Sequence, residues 1–398
     1  MLDFAAAREF FIEAAQPLHR VESCRLDEGF NRVLAEEALA LSDSPPSDVS
    51  TLDGYAIATR DLASSGETRL KVTQRITAGA IGQALRPGEC ARIFTGAAMP
   101  AGANAIVAQE SVRRADTHIV FSQRPEAFED VRRQGEDFHA GQALLARGTR
   151  LSPMHLGLLA SAGLSQLEVY STLRVALLTS GNEVLPPGQP LRPGCIYNAN
   201  ASLLRALLMQ MGCRISHQAH LPDELEATRK ILAQLAGACD VILTSGGVSV
   251  GDEDHIKAAI ESIGSIDLWK VRMKPGKPLA FGRIGDTPLI GLPGNPVSGF
   301  ATFVLFARPF LLRRMGAHMS QLRPLRLPAA FSTSRVSDRR EFARARITPE
   351  QNVVLYANQG SGILSSLSWA DALVELPERA LVRPGDEVNV YLLSELLA

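Results

Sequence analysis

The stretch Asp240-Val-Ile-Leu-Thr-Ser-Gly-Gly247 decides the fold class that we predict for this chain of 398 residues. Its short apolar run ends in a glycine-rich turn, which is typical of a strand buried on both faces of a parallel sheet. Similar strands are predicted at 173–179, 214–221 and 289–292. Stretches of helical pattern lie between and after them, at 201–211, 224–236, 255–263 and 296–314. This alternation predicts a parallel sheet covered by helices.

The sequence on either side has a different texture. A helix is predicted at 3–16 and another at 151–164, where Ser152 is the expected N-cap. Residues 53–136 consist of short alternating runs that Gly and Pro interrupt, which is a β-rich pattern. After residue 324 short strands and turns return, and they predict a small C-terminal β-barrel of about 70 residues.

The composition argues against several classes of protein. The 41 Lys and Arg balance 42 Asp and Glu, for a formal net charge of -1, which argues against binding nucleic acid through bulk charge. The 5 Cys are widely spaced, so neither a zinc ribbon nor a disulfide framework is expected. No apolar run is long enough to span a membrane, and the first residues lack the positive charge of a signal peptide. We therefore expect a cytoplasmic protein that binds neither nucleic acid nor a membrane.

Ligands of open α/β sheets bind beyond the carboxyl ends of the strands, so the residues that follow each strand are candidates for a site. Gly246 and Gly247 precede a helix, an arrangement that lets main-chain N–H groups approach a phosphate; an ordinary tight turn is the alternative. Asp223, Asp252 and Asp254 offer hard oxygen ligands that suit Mg²⁺. Helix capping is the simpler explanation of an isolated aspartate pair.

Two further loops belong to the same predicted edge. Lys274 and Lys277 flank a Pro-Gly turn, where they form either an anion clamp or solvated surface charges. Pro293 and Pro296 bracket a Gly-Asn pair, which either frames a flat ligand or simply turns the chain. No nucleotide-binding glycine motif, catalytic triad or zinc motif occurs. The residues alone therefore indicate a phosphate-bearing small molecule, bound with Mg²⁺ and activated by positioning and electrostatics.

Taken together, the motifs of the chain resemble those of the MoeA family of molybdopterin molybdenumtransferases, which includes the E domain of gephyrin. The motifs are Thr51-Leu-Asp-Gly-Tyr-Ala56, Arg92-Ile-Phe-Thr-Gly-Ala97, Ser245-Gly-Gly-Val-Ser-Val-Gly-Asp252, Lys274-Pro-Gly-Lys-Pro278 and Gly291-Leu-Pro-Gly-Asn-Pro-Val-Ser298. Alone, the first two would predict strand-entry turns. Their order together with the others fits the family over nearly the whole chain.

The resemblance implies a multidomain α/β and β fold. Its parts would be a three-layer α/β molybdopterin-binding domain at 173–318, an elongated β-rich domain at 23–137, a mixed helical and β linker domain at 1–22 and 138–172, and the β-barrel domain at 319–398. It also implies a homodimer, whose cleft combines the α/β and C-terminal domains of one subunit with the β-rich domain of the other. Molybdopterin adenylyltransferase and recipient molybdoenzymes are the implied transient partners.

The resemblance further implies a Mg²⁺-dependent reaction in which adenylylated molybdopterin is hydrolysed, AMP leaves and molybdate is inserted at the dithiolene. The implied functional residues are Asp53, Thr95, Asp137, Glu183, Asp223, Ser245, Gly246, Gly247, Ser249, Asp252, Asp254, Lys274, Lys277, Pro293, Pro296, Arg344 and Ser361.

Several of these residues can be given roles. The Gly-Gly loop and Ser249 would hold the pterin phosphate, and Asp223 and Asp254 would hold Mg²⁺. Lys274, Lys277 and Arg344 would attract molybdate or phosphate. Residues 53 and 95 would close the cleft from the partner subunit.

Two positions depart from the family pattern, because Asn182 and Asn104 stand where an aspartate is common. Each change removes a negative charge and keeps a hydrogen-bonding side chain of the same size. Asn182 is the nearer to the predicted cleft, so it bears on the affinity for metal. A diverged paralogue that acts as a molybdopterin-binding or scaffold protein is the alternative function, and the retained acidic and basic residues favour the enzyme.

Overall fold

The computed structural model describes residues 1–247, 255–319 and 322–398. Within these residues the strands form three six-stranded sheets and four two-stranded ribbons. Each large sheet corresponds to one of the three textures in the sequence: the β-rich stretch, the alternating strand and helix stretch, and the C-terminal stretch. The multidomain α/β and β fold class is therefore confirmed, and the exact domain boundaries stay a prediction.

The central sheet carries the predicted strands. Its order is Arg214–Leu221, Arg174–Ser180, Val241–Ser245, Thr287–Leu292, Ala280–Ile284 and Ser265–Trp269. The first four strands are parallel, as predicted. The next strand, Ala280–Ile284, runs antiparallel to its neighbours on both sides. A two-residue turn at Gly285 and Asp286 joins it directly to Thr287–Leu292, and only an antiparallel pair permits so short a connection.

Helices cover both faces of this sheet, which makes three layers. Alternate residues of Arg174–Ser180 face two cores: Val175 and Leu177 belong to one, Ala176 and Leu178 to the other. The first core also receives the helix Ala199–Gln210 and the helical stretch 296–314, and the second receives Leu225–Leu235 and His255–Ile263. The stretch 296–314 contains the segments Pro296–Thr302, Phe303–Ala307 and Arg308–Arg314, and the middle one is a π-helix.

The β-rich part is a mixed sheet with a core on each face. Its order is Ala105–Ala108, Gly54–Ile57, Glu89–Ile93, Thr68–Ile76, His118–Phe121 and Arg113–Ala115. Two short strands, Val49–Ser50 before this sheet in the sequence and Val131–Arg132 after it, pair as a two-stranded ribbon. The β-rich prediction for 53–136 is confirmed.

A third region is built from two separate stretches of the chain, both of which precede the central sheet. Val21–Arg25 pairs with Gln166–Tyr170, and Ala38–Leu39 pairs with Ala143–Leu145. The predicted N-terminal helix spans Phe4–Ala14 and the second spans Pro153–Ser161. Ser152 caps the second helix by accepting from the main-chain N–H of His155, as predicted.

The C-terminal strands nearly close on themselves. Their order is Val353–Leu355, Arg340–Ile347, Ala372–Leu376, Glu387–Leu392 and Leu325–Pro328. A bridge between Ala329 and Val353 joins the two edges, so the strands form the predicted small barrel. Two helices, Ser365–Trp369 and Leu393–Leu397, complete this part. The strand Met273–Lys274 pairs with Arg340 and Glu341, which attaches the barrel to the central sheet beside the predicted site.

No helix among the described residues combines the length and the apolar character needed to cross a membrane.

Candidate active site

A cleft of about 540 Å³ lies at the carboxyl ends of the parallel strands of the central sheet. Its walls are the loops that follow Arg174–Ser180, Arg214–Leu221, Val241–Ser245 and Thr287–Leu292, which is where ligands of such sheets bind. Six predicted site residues line it: Glu183, Asp223, Ser245, Gly246, Gly247 and Pro293.

The Gly-Gly loop requires glycine at both positions. Gly246 and Gly247 have φ values of 91° and 64°, in the left-handed region that favours glycine. A Cβ on Gly246 would lie 2.9 Å from the main-chain oxygen of Ser180, and one on Gly247 would lie 2.6 Å from Cδ1 of Ile256. The loop therefore presents main-chain atoms to the cleft without a side chain in the way, as a phosphate-binding loop must.

An asparagine that the sequence analysis missed ties this loop to the next. Asn200 Nδ2 donates to Ser245 Oγ at 2.9 Å and to the main-chain oxygen of Gly294 at 2.7 Å. Ser245 Oγ in turn donates to the main-chain oxygen of Pro293 at 3.2 Å. Asn200 belongs to a helix whose N-cap is Asn198, and an asparagine just inside a helix start is the signal that could have suggested it.

The acidic side of the cleft is built from two loops that bond to each other. The main-chain N–H of Asn182 donates to Asp223 Oδ2 at 2.8 Å, and the N–H of Asp223 donates to Asn182 Oδ1 at 3.4 Å. Asp223 is half-buried and Glu183 is exposed. The described residues contain no cluster of three or more metal-ligating side chains. Three further predicted site residues, Ser249, Asp252 and Asp254, lie outside the described residues.

The two predicted lysines differ in their surroundings. Lys274 Nζ donates to both carboxylate oxygens of Glu341, at 3.0 and 2.9 Å, and both side chains are largely buried. Lys277 is exposed, and the next residue, Pro278, lines the cleft. Between the lysines a Cβ on Gly276 would lie 2.5 Å from Cγ2 of Thr302. The turn is thus packed closely against the helix Pro296–Thr302. It separates the half-buried Lys274 from the exposed Lys277.

The structure places the side chain of Arg344 on the face of its strand opposite the barrel core, which contains Ala343 and Ala345, and there it is 1% exposed. Its Nε donates to Ser366 Oγ at 3.0 Å and its Nη2 to the main-chain oxygen of Gly360 at 3.0 Å. Burial lowers the pKa of Arg344 to about 10. The loop that it holds reaches the cleft, since the oxygen of Ser361 accepts from the N–H of Val297 at 3.0 Å, next to the predicted Pro296.

The remaining predicted residues do not line the cleft of this single chain. Asp53 Oδ1 accepts from the N–H and the hydroxyl of Thr95, each at 2.9 Å, and these hydrogen bonds hold the pKa of the Asp53 carboxyl below its usual value. Asp137 is exposed, and its N–H donates to the oxygen of Ser44 at 2.9 Å. The structure therefore brings Asp53 and Thr95 together in the β-rich part, apart from the cleft.

Three family models match the chain. They are the MoeA N-terminal region (domain I and II) at residues 2–163, the probable molybdopterin binding domain at 176–313, and the MoeA C-terminal region (domain IV) at 326–393. Together they account for most of the sequence.

Similar proteins and structures cover the chain over almost its whole length. A molybdopterin molybdenumtransferase of Haemophilus influenzae is 34% identical and covers 100% of both chains. Another from Synechococcus elongatus is 37% identical over 92% of this chain and 93% of its own length. The crystal structure of a molybdopterin biosynthesis MoeA protein from Pyrococcus horikoshii superposes with a TM-score of 0.85 at 26% identity, and it covers 98% of this chain and 100% of its own.

Proposed function

This chain belongs to the MoeA family and is an enzyme of molybdenum cofactor biosynthesis, a molybdopterin molybdenumtransferase, and we propose that its cleft inserts molybdate into adenylylated molybdopterin with release of AMP. The observation that carries this proposal is the cleft itself: a glycine loop and the carboxylates of Glu183 and Asp223 lie at the end of one parallel sheet, and the loop that bears Lys274 and Lys277 adjoins them through Pro278. A scaffold role without catalysis is not favoured.

The glycine loop would bind the phosphate of the substrate. Gly246 and Gly247 leave main-chain atoms open to the cleft, and Asn200 fixes the loop by its bond to Ser245. Because these contacts exist before substrate arrives, little free energy is needed to order the loop when substrate binds. Ser249 and Asp252, which follow in the same motif, would extend this phosphate side.

Mg²⁺ fits the acidic side of the cleft. Asp223 uses one carboxylate oxygen to accept from the main-chain N–H of Asn182. Proteins usually hold Mg²⁺ between one or two carboxylates and the phosphates of the substrate. Asp223 and Asp254 would hold the ion, with Glu183 beside them. The ion would supply charge neutralisation at the phosphates.

The loop that bears the two lysines would receive molybdate. Lys277 offers an exposed ammonium group, and Lys274 is fixed by Glu341. Pro293 and Pro296 make the facing loop rigid. Arg344 would act by holding the loop of Ser361 against the helix start.

A homodimer would complete the site, since Asp53, Thr95 and Asp137 lie away from the cleft of their own chain. We propose that the β-rich part of the partner subunit brings these residues over the substrate. The enzyme would work in the cytoplasm, taking its substrate from molybdopterin adenylyltransferase and passing the cofactor to molybdoenzymes.

The test is AMP release from adenylylated molybdopterin, with Mg²⁺ and molybdate each present or omitted. Release that needs both supports the proposal. A folded protein that binds the substrate and releases no AMP under any of the four conditions would refute it and leave a binding role.

A further inference from the structure

A second cavity, of about 780 Å³, lies where the two ends of the chain meet the helical stretch 296–314. The N-terminal helix Phe4–Ala14, the helix Arg308–Arg314 and the C-terminal helix Leu393–Leu397 each contribute to its wall. It shares no lining residue with the cleft. None of the predicted site residues lines it, so the proposed reaction leaves it unexplained.

The lining of this cavity is strongly cationic. Four arginines line it, Arg8, Arg150, Arg308 and Arg323, together with one acidic side chain, Glu395. The chain as a whole carries a formal charge of only -1, so this excess of positive charge is local. A concave surface of one charge attracts the opposite charge more strongly than a flat one, because low-dielectric walls focus its field.

Several donors of these arginines lack a hydrogen-bond partner within the described part of the chain. The Nε atoms of Arg8, Arg150 and Arg308 are buried and have no hydrogen-bond partner among the described residues. Burial lowers the pKa of Arg8 and Arg150, and burial together with the charge of Arg150 lowers the pKa of Arg308 to about 10. Buried donors of arginine normally meet an acceptor, so three donors of this cluster remain unpaired among the described residues.

Hydrogen bonds nevertheless hold two of the guanidinium groups in place. Arg150 Nη2 donates to Asn31 Oδ1 at 2.8 Å and to the main-chain oxygen of Gln210 at 3.1 Å. Arg308 Nη2 donates to the main-chain oxygen of Ala398. These acceptors orient the two forks, and those of Arg150 are neutral. A preorganised fork matches the geometry of phosphate oxygens.

We propose that this cavity binds a phosphate-type oxyanion, either as the free ion or as the phosphate group of a small molecule. The apolar wall, with Val304, Leu312 and Leu322, offers space for an organic group beside the anion. Because the site joins three helices from distant parts of the chain, its occupation would link those parts and raise the stability of the whole protein.

The experiment measures the melting temperature of the full-length protein in buffer of constant ionic strength, with and without inorganic phosphate. The chains compared are the wild type, Arg8→Gln, Arg308→Gln and the control Arg113→Gln, whose side chain is 68% exposed and pairs with Glu67. Each is also made with Lys277→Gln, so that phosphate bound in the proposed cleft does not confuse the result.

We expect phosphate to raise the melting temperature of the wild type and of Arg113→Gln, with or without the cleft substitution. Arg8→Gln and Arg308→Gln should lose that rise. Without phosphate Arg8→Gln should melt no lower than the wild type, since it removes one charge from a crowded cationic cluster. This last readout separates an anion site from a structural role, because a structural arginine would lower the melting temperature in plain buffer.

Further arms identify the source of the anion. If the part of the rise in melting temperature that depends on Arg308 is larger with AMP than with phosphate, and adenosine has no effect, the ligand is an organic phosphate; equal Arg308-dependent rises indicate the free ion. Phosphate shifts that are the same in the wild type and in Arg308→Gln would overturn the proposal. So would the absence of any phosphate shift together with a lower melting temperature of Arg308→Gln, which would show that Arg308 serves only to hold the C-terminal helix.

Discussion

Lys274 and Glu341 form a two-pronged ion pair across the junction between the central sheet and the C-terminal barrel. The Lys274 ammonium lies 2.9 and 3.0 Å from the two carboxylate oxygens, and the side chains are 27% and 18% exposed. The pairing of Met273–Lys274 with Arg340 and Glu341 brings the two residues together. The barrel therefore fixes the position of a predicted catalytic lysine at the edge of the cleft.

Replacing Glu341 tests this positioning role. Glu341→Gln keeps a side chain of the same length and removes the charge that holds the ammonium group. We expect kcat for AMP release to fall about tenfold, since a misplaced group costs about this much or more in catalysis, with little change in melting temperature. The control is Glu226→Gln, which removes an exposed ion pair with Arg229. If Glu341→Gln and Glu226→Gln turn over equally fast, Glu341 does not position the lysine.

A different result is expected for Arg344, because its guanidinium is buried between its strand and the segment that contains Gly360 and Ser366. Arg344→Met would leave Ser366 and the oxygen of Gly360 without their donor, and we expect a loss of about 3 kcal/mol in the free energy of unfolding. Urea unfolding measures it. Arg346→Met, on the same strand but exposed, should cost much less. A role in attracting molybdate alone would instead lower activity and leave the stability of Arg344→Met unchanged.

Asn182 bears on Mg²⁺. Since its N–H already donates to Asp223, Asn182→Asp would place a second carboxylate at that point. We expect the Mg²⁺ concentration for half-maximal AMP release to fall about fivefold, which corresponds to about 1 kcal/mol of added attraction. Asn104→Asp makes the same change in a loop that bonds Thr59, far along the chain from the cleft, and should leave the Mg²⁺ dependence unaltered. Equal Mg²⁺ dependence of both variants and the wild type would argue against metal binding at Asp223.

The sequence was most informative where a local pattern sets the structure. The buried strands around 173–179 and 240–244 and the helix at 255–263 were predicted from hydrophobic runs and turn residues, and Arg174–Ser180, Val241–Ser245 and His255–Ile263 confirm them. The glycine loop was also predicted from its position after a strand. Such features depend on neighbours in the sequence, so the sequence contains the information for them.

The contacts that the sequence could not predict depend on distant pairings. Glu341 meets Lys274 across 67 residues, and only the pairing of their strands brings them together. Arg344 lies between Ala343 and Ala345 in a strand buried on both faces, where a charged residue would ordinarily be expected to face solvent. The antiparallel edge of the central sheet was missed for a related reason: the apolar content of Ala280–Ile284 does not reveal the direction of the strand.

The surroundings of Asp240 indicate how the free energy of unfolding depends on pH. Burial raises the pKa of its carboxyl, but hydrogen bonds from Arg174 and Arg20 outweigh burial, so the pKa lies below its ordinary value of 3.8. A lowered pKa means that the folded state favours the charged form. The stabilisation is therefore present above the ordinary pKa and is lost as the pH falls through the lowered one.

Asp240→Asn should destabilise the protein at pH 7 by about 1–3 kcal/mol, allowing for the partial exposure of both arginines. Urea unfolding between pH 7 and pH 3 (about the ordinary carboxyl pKa) should show the gap from the wild type narrowing at the acid end. Asp267→Asn, whose exposed partner lies 3.9 Å away, serves as the control with a small effect at every pH. A gap for Asp240→Asn that stays constant across this range would show that its ion pairs do not depress the pKa.

The proposal that two subunits share each cleft can be tested by mixing inactive variants. If Asp53 and Thr95 act on the substrate from the partner subunit, Asp53→Ala and Lys277→Ala should each be inactive alone, because every cleft in either homodimer carries one defect. After unfolding and refolding together in equal amounts, half of the dimers are mixed, and each mixed dimer has one cleft that is intact on both sides. We expect about a quarter of the wild-type rate of AMP release. A mixture of Lys274→Ala with Lys277→Ala, both in the same chain's loop, should recover nothing, and equal recovery by the two mixtures would place residue 53 in the cleft of its own chain.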